Sequence, residues 1–271
     1  MRRIQVDSTV RCLVEDVNPS GKRTIVFVHG WPLSHRIFDY QTAVLPSYDI
    51  RCVSYDIRGF GGSDKPWNGY RYDRLAADLH RILEGIDAKS VTLCGFSMGG
   101  AICARYMDKY RGYKVKRLVL MGAACPSFVQ RPGYPIGMTK EQVDNLIFQA
   151  YTDMPQLSKQ FGPTCFYSNP SEAFLGWFAG IGEQASVHGA ISCLESLRDE
   201  DLRSSMGKIC VPTAIFHGVH DQVCPFSMAE EMRRTIRNSF IIPFESSGHC
   251  LFYDEKDKCN SSLIDFITAN V

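Results

Sequence analysis

The sequence has no long apolar run, which argues against a membrane-crossing helix, since such a helix takes about 20 predominantly apolar residues. Its first residues, Met1-Arg2-Arg3-Ile4-Gln5-Val6-Asp7, lack the apolar stretch of a secretory signal. No block of one charge sign occurs and the formal net charge is +1, so neither nucleic acid nor an anionic membrane is expected as a partner. The eleven cysteines are odd in number and form no C-x-x-C pair, unlike a secreted disulfide scaffold. Cysteine and histidine show no zinc-ligand spacing either, so no metal is expected. A soluble cytoplasmic protein with reduced thiols fits these absences. The glycine-rich run Asp56-Ile57-Arg58-Gly59-Phe60-Gly61-Gly62-Ser63-Asp64 matches neither a dinucleotide fingerprint nor a Walker A lysine loop, and no nucleotide or other cofactor is expected. It reads instead as a tight strand-to-loop crossing in which Asp56 and Arg58 make local bonds. Internal repeats and low-complexity tracts are also missing.

What is present is an alternation of two periods. At 271 residues the chain can bury one large α/β core. Short β-rich apolar runs lie at 24–28, 50–55, 91–94, 117–121, 213–216 and 240–242, and helical patterns at 72–86, 98–110, 227–235 and 258–270. Continuous apolar strands interleaved with helices predict a parallel sheet covered on both faces. Residues 2–16 alternate like an antiparallel edge hairpin. From 124 to 207 the strand rhythm stops, and Pro126, Pro132, Pro135, Pro155, Pro163 and Pro170 appear among aromatics and short helical pieces. This stretch is expected to be a cap over the active site, inserted into a core made of 1–123 and 208–271.

The chemistry is carried by Gly95-Phe96-Ser97-Met98-Gly99-Gly100, between the strand pattern at 91–94 and a helix pattern. Strand, G-x-S-x-G turn and helix are the parts of a nucleophile elbow. Small neighbours let Ser97 take a strained conformation, and the helix behind it aims N–H groups at a developing oxyanion. A serine hydroxyl needs an adjacent base. His249 has the best context of the seven histidines, in a polar loop between the last strand pattern and the last helix. Asp221 follows the penultimate strand pattern, completing the order Ser, Asp, His; Asp201, Asp254 and Asp257 compete for the acid role but follow no strand of the right rank. The loop His29-Gly30-Trp31-Pro32 offers the Trp31 N–H as one oxyanion donor, with Met98 N–H as the other; Pro32 has none to give. His29 reads as a brace for that loop. Trp31, Phe128, Phe161, Phe166, Trp177 and Phe178 are pocket candidates, each singly explained by packing and together pointing to a small apolar substrate. Cys224 and Cys250 adjoin the acid and the base and read as small buried filler, with sensitivity to thiol reagents as the alternative.

These segments resemble the α/β-hydrolase superfamily, and within it the bacterial arylesterases grouped with cofactor-free (non-haem) haloperoxidases and perhydrolases. The likeness rests on His29-Gly30-Trp31-Pro32-Leu33, on the run from Asp56 through Lys65-Pro66-Trp67, on the turn at Ser97 and on the Asp221 and His249 segments; Gly133-Tyr134-Pro135 fits the start of the family's small cap. It spans nearly the whole chain and is densest from Val28 to Pro135. The resemblance implies a serine carboxylesterase acting on short-chain or aryl esters, with Ser97, Asp221 and His249 as triad and Trp31 and Met98 as oxyanion donors. It also implies that peroxide can replace water on the acyl-enzyme, an ability associated in the family with a proline such as Pro32. Ala101 stands where many relatives have a third glycine, and Ile57 where arginine is frequent. Aspartate-nucleophile dehalogenases and epoxide hydrolases are disfavoured by Ser97. Amidase or aminopeptidase, carbon–carbon bond hydrolase and lactonase activities stay open, as does a non-catalytic binding protein on the same fold. Association with further copies of the chain is left open too.

Overall fold

The structure, a computed structural model, describes residues 1–269. Eight strands form one sheet: β1 (Arg2–Gln5), β2 (Arg11–Val17), β3 (Arg23–Val28), β4 (Ile50–Tyr55), β5 (Val91–Phe96), β6 (Val115–Met121), β7 (Thr213–Gly218) and β8 (Ser239–Phe244). Their order across the sheet is β1-β2-β4-β3-β5-β6-β7-β8. The edge hairpin expected from residues 2–16 is present: β1 and β2 pair antiparallel, and β2 joins β4 antiparallel, with Val14 opposite Tyr55. The other pairings are parallel. Every residue of β4, β5 and β7 is buried, as strands covered on both faces require. The strands run one to two residues beyond most of the apolar runs, because ladder hydrogen bonds extend through polar positions such as His217 and Ser239.

Among the described residues seven longer helices accompany the strands: α1 (Tyr72–Gly85), α2 (Met98–Lys109), α3 (Lys140–Cys165), α4 (Glu172–Gly182), α5 (Val187–Asp199), α6 (Ser227–Thr235) and, after the last strand, α7 (Lys256–Thr268). In α1 the buried residues Leu75, Ala76, Leu79, Ile82 and Leu83 recur at helical spacing. The last helix reaches Thr268; the expected extension to Asn270 lies outside the described residues. No described helix is long and apolar enough to cross a membrane.

Two local expectations are corrected. Between β6 and β7 the chain forms substantial helices rather than short pieces, the longest spanning 26 residues. That helix is capped by Thr139 and Gln142 acting reciprocally, and it breaks at Asp153 (φ −156°, ψ 80°). There the Asp153 carboxylate accepts from the N–H of Gln156, 2.9 Å away, so Asp153 ends one half of α3 and caps the next. Pro155 sits in the first turn of the second half, where its missing N–H has no helical partner to lose. The second correction concerns Arg58, whose bonds are not local. Its guanidinium binds Asp78 on α1 (2.5 and 2.8 Å) and Asp7 in the β1–β2 turn (2.7 Å), tying three distant segments together. Asp56 does brace its own loop, accepting from Gly62 N–H at 2.7 Å, and it also holds His35 N–H at 2.8 Å and the His35 ring at 2.6 Å.

Candidate active site

Parallel strands end on one edge of the sheet, so residues far apart in sequence converge there. Ser97 follows β5, Trp31 follows β3, Asp221 follows β7 and His249 follows β8. Ser97 has φ 53° and ψ −122°, the strained conformation expected of an elbow. Its backbone is pinned on both sides: its N–H donates to Met121 O at 3.0 Å, and its carbonyl accepts from Gly100 and Ala124 N–H at 2.9 and 3.0 Å. Gly30 is needed beside it, because a Cβ at that position would lie 2.7 Å from Ser97 Cβ.

His249 and Asp221 meet across 28 positions of sequence. The His249 Nδ1 lies 2.8 Å from Asp221 Oδ2, with both side chains fully buried. The other ring nitrogen, Nε2, is buried and has no hydrogen-bond partner among the described residues. Oδ1 of Asp221 accepts from the Val223 and Cys224 N–H groups, each at 2.8 Å. Burial alone would raise the pKa of Asp221; the His249 charge, with hydrogen bonds from His217 and His249, outweighs it and holds the carboxyl well below the usual range. The competing acids sit elsewhere: Asp201 pairs with Arg203, Asp257 is exposed, and Asp254 binds backbone N–H groups rather than an imidazole.

His217 is a residue the sequence reading missed. It lies on β7 with Nε2 2.7 Å from Cys224 O and 3.4 Å from Asp221 Oδ2, so one N–H serves the acid and its loop together. The only sequence signal was a histidine four positions before Asp221 at a strand end. His29 braces its loop as expected: Nδ1 donates to Gly30 O (2.9 Å) and Nε2 accepts from Ile57 N–H (3.0 Å). Burial pushes its pKa down to about 4, so the ring is neutral near pH 7. The backbone N–H groups of Trp31 and Met98 donate to no described residue, leaving both available to a ligand at Ser97.

A cavity of about 300 Å³ opens over Ser97. Trp31, Phe128 and Phe161 line it, as anticipated, together with Met138, Leu146, Leu157, Leu194, Leu197 and Val223. Its polar lining is neutral: Gln149, Gln160, Thr164 and Gln222. Phe166, Trp177 and Phe178 do not line it, which corrects the pocket assignment. Phe166 and Phe178 pack edge-to-face at 5.2 Å inside the helical insertion, and Trp177 packs against Phe174, Tyr40 and the Arg36 guanidinium. Leu146, Gln149, Leu157 and Gln160 were missed because α3 must kink before the faces of its two halves turn toward Ser97, whereas Leu194 and Leu197 come from α5 and Gln222 from the loop after β7. Trp31 also anchors the insertion, its indole N–H donating to Ala190 O at 2.9 Å. Cys224 and Cys250 are fully buried, and burial pushes both thiols far above their ordinary pKa, which favours the filler reading.

A mostly parallel sheet whose strand ends carry a serine elbow and an Asp–His pair defines the class of α/β-hydrolase folds. The chain belongs to this family: a family model described as alpha/beta hydrolase fold matches residues 23–256. It is 42% identical over 263 residues to AB hydrolase superfamily protein YisY of Bacillus subtilis (strain 168), covering 97% of each chain. Among solved structures it is similar to the esterase EaEST from Exiguobacterium antarcticum, with TM-score 0.96, 40% identity, and 98% and 99% of the two chains covered. A bromoperoxidase from Bacillus anthracis matches with TM-score 0.93, 29% identity, and 99% of each chain.

Proposed function

We propose that the chain is a serine carboxylesterase that cleaves small, uncharged, apolar esters through an acyl-enzyme and can use hydrogen peroxide in place of water. One observation carries this reading. A strained, largely buried serine lines an uncharged cavity, and a buried imidazole carried at the same edge of the sheet has one nitrogen on Asp221 and the other without a partner among the described residues. The names of the two solved relatives, an esterase and a bromoperoxidase, support the same pair of activities. Residues 124–207 act as the cap, supplying Phe128, Leu146, Phe161 and Leu197 to the cavity. All eleven cysteines are free thiols, ten of them buried, which suits a reducing cytoplasm.

In this mechanism Ser97 Oγ bonds to the ester carbonyl carbon as its proton passes to His249 Nε2. The oxyanion is held by the N–H groups of Trp31 and Met98. Asp221 keeps the proton on Nδ1 and stabilises the imidazolium. Collapse of the intermediate expels the alcohol, which takes the proton from His249. Water then attacks the acyl-enzyme with His249 as base, releasing the carboxylic acid; peroxide attacking the same carbonyl releases a peracid, which can oxidise halide without a metal.

The test is turnover of p-nitrophenyl acetate with and without peroxide, alongside fluorophosphonate labelling. Ser97→Ala is expected to abolish labelling and nearly all turnover, and retention of more than a tenth of the wild-type rate overturns the assignment. Asp221→Asn is expected to lower kcat by about 10⁴, because the amide favours the wrong imidazole tautomer.

A further inference from the structure

Asp254 is half-buried and binds two segments at once. Its Oδ2 accepts from Gly248 N–H and from Tyr167 N–H, both at 2.9 Å. Its Oδ1 accepts from Ser168 N–H at 3.2 Å and from the Ser168 hydroxyl. Gly248 immediately precedes His249, whereas Tyr167 and Ser168 follow the cap helix α3. On the far side of His249, Cys250 N–H donates to Cys165 O, the last residue of that helix, at 2.8 Å. The base is thus flanked by hydrogen bonds to the cap on both sides. The two backbones approach so closely that a Cβ on Gly248 would lie 2.9 Å from Cys165 O. The same cap segment reaches the acid's loop, where the Tyr167 ring stacks on His220 with centroids 4.0 Å apart.

We propose that Asp254 is a positioning residue: it fastens the backbone of His249 to the end of the cap helix and so sets where Nε2 points. The inference rests on the triad reading above. Its physical content is that His249 Nε2, free of protein partners, must be aimed by the backbone that carries it and by the Nδ1 bond to Asp221. A carboxylate offers two oxygens and about four lone-pair sites, enough for all four donors; no neutral side chain of its size does. The arrangement also links base to substrate, because Gln160, Phe161 and Thr164 in the last turns of α3 line the cavity. A ligand seated against those turns therefore bears on the segment that holds His249.

The test compares wild type, Ser97→Ala, Asp254→Asn and Asp254→Ala on p-nitrophenyl acetate, with active sites counted by fluorophosphonate and folding followed by thermal unfolding. Misplacement of a catalytic group by about 1 Å can cost about 100-fold. Asp254→Ala is expected to lose about 10- to 100-fold in kcat per labelled site, with KM within about twofold of wild type. Asp254→Asn, which keeps one acceptor oxygen, is expected to fall between the two, and it carries the test by a loss of at least about threefold in kcat should the alanine variant not fold. Wild-type kcat per labelled site in the Asp254 variants overturns the clamp, as does a rise in KM with kcat unchanged, which would mean that Asp254 only shapes the pocket. Turnover persisting in Ser97→Ala overturns the triad reading and the clamp with it. Turnover lost in Ser97→Ala but kept in Asp254→Ala overturns the clamp alone.

Discussion

The neutral His29 ring shows how much a single buried side chain can fix in this molecule. It accepts one backbone N–H and donates to one backbone carbonyl, which holds the Trp31 loop against the loop that begins at Asp56. Its folded pKa of about 4 lies below the ordinary value of 6.5, chiefly through burial. Between those values the unfolded chain takes up a proton that the folded one refuses, so stability must fall as pH drops from about 6.5 to about 4. The full difference is on the order of 3 kcal/mol. Asp221 adds a further loss at lower pH, since its depressed folded pKa gives stability that is present above about 4 and disappears as the carboxyl is forced to protonate. His35 works in the opposite range: its raised pKa gives stabilisation that is complete below about 6.5 and fades as pH rises through the folded value. Urea midpoints measured at pH 7 and pH 4.5 should therefore differ clearly in wild type and less in His29→Gln. An equal drop in both proteins would remove His29 from the account.

At the scale of elements, the site depends on crossings rather than on the strands themselves. The Arg58 side chain is almost fully buried and joins the loop after β4 to α1 and to the β1–β2 turn. Asp78 is equally buried, so removing its main partner leaves a carboxylate without full compensation. Arg58→Met is expected to cost about 3–5 kcal/mol by urea unfolding, even though it lies outside the proposed catalytic constellation and has a similar apolar stem. A loss under about 1 kcal/mol would mean that Arg74, which also reaches Asp78 at 2.5 Å, suffices alone. The kinked helix α3 makes the same point. Its break at Asp153 allows Leu146 in one half and Leu157, Gln160 and Phe161 in the other to face one cavity.

For the whole molecule, core burial should control reactivity. Ten thiols are buried and Cys210 alone is exposed among the eleven. A chromogenic disulfide reagent is expected to modify one thiol quickly in the native protein and all eleven after denaturation, and Cys210→Ser should abolish the fast phase. Two or more fast thiols would show that the core opens on the timescale of the reaction. The sequence by itself determined the strand–turn–helix at Ser97, the order of Ser97, Asp221 and His249 along the strand ends, and the parallel core, because these depend on local requirements: strand period, a strained turn among glycines, and the strand after which each residue falls. It also showed that the stretch between β6 and β7 differs from the core. Only the tertiary structure decided which aromatics face Ser97 and which pack inside the helical insertion, and that His217 shares the Asp221 carboxylate. It alone brought Asp254 to the backbone beside His249 and to Tyr167, 87 positions away. Those outcomes depend on how helices cross and kink over the sheet, and no window of adjacent residues carries that information.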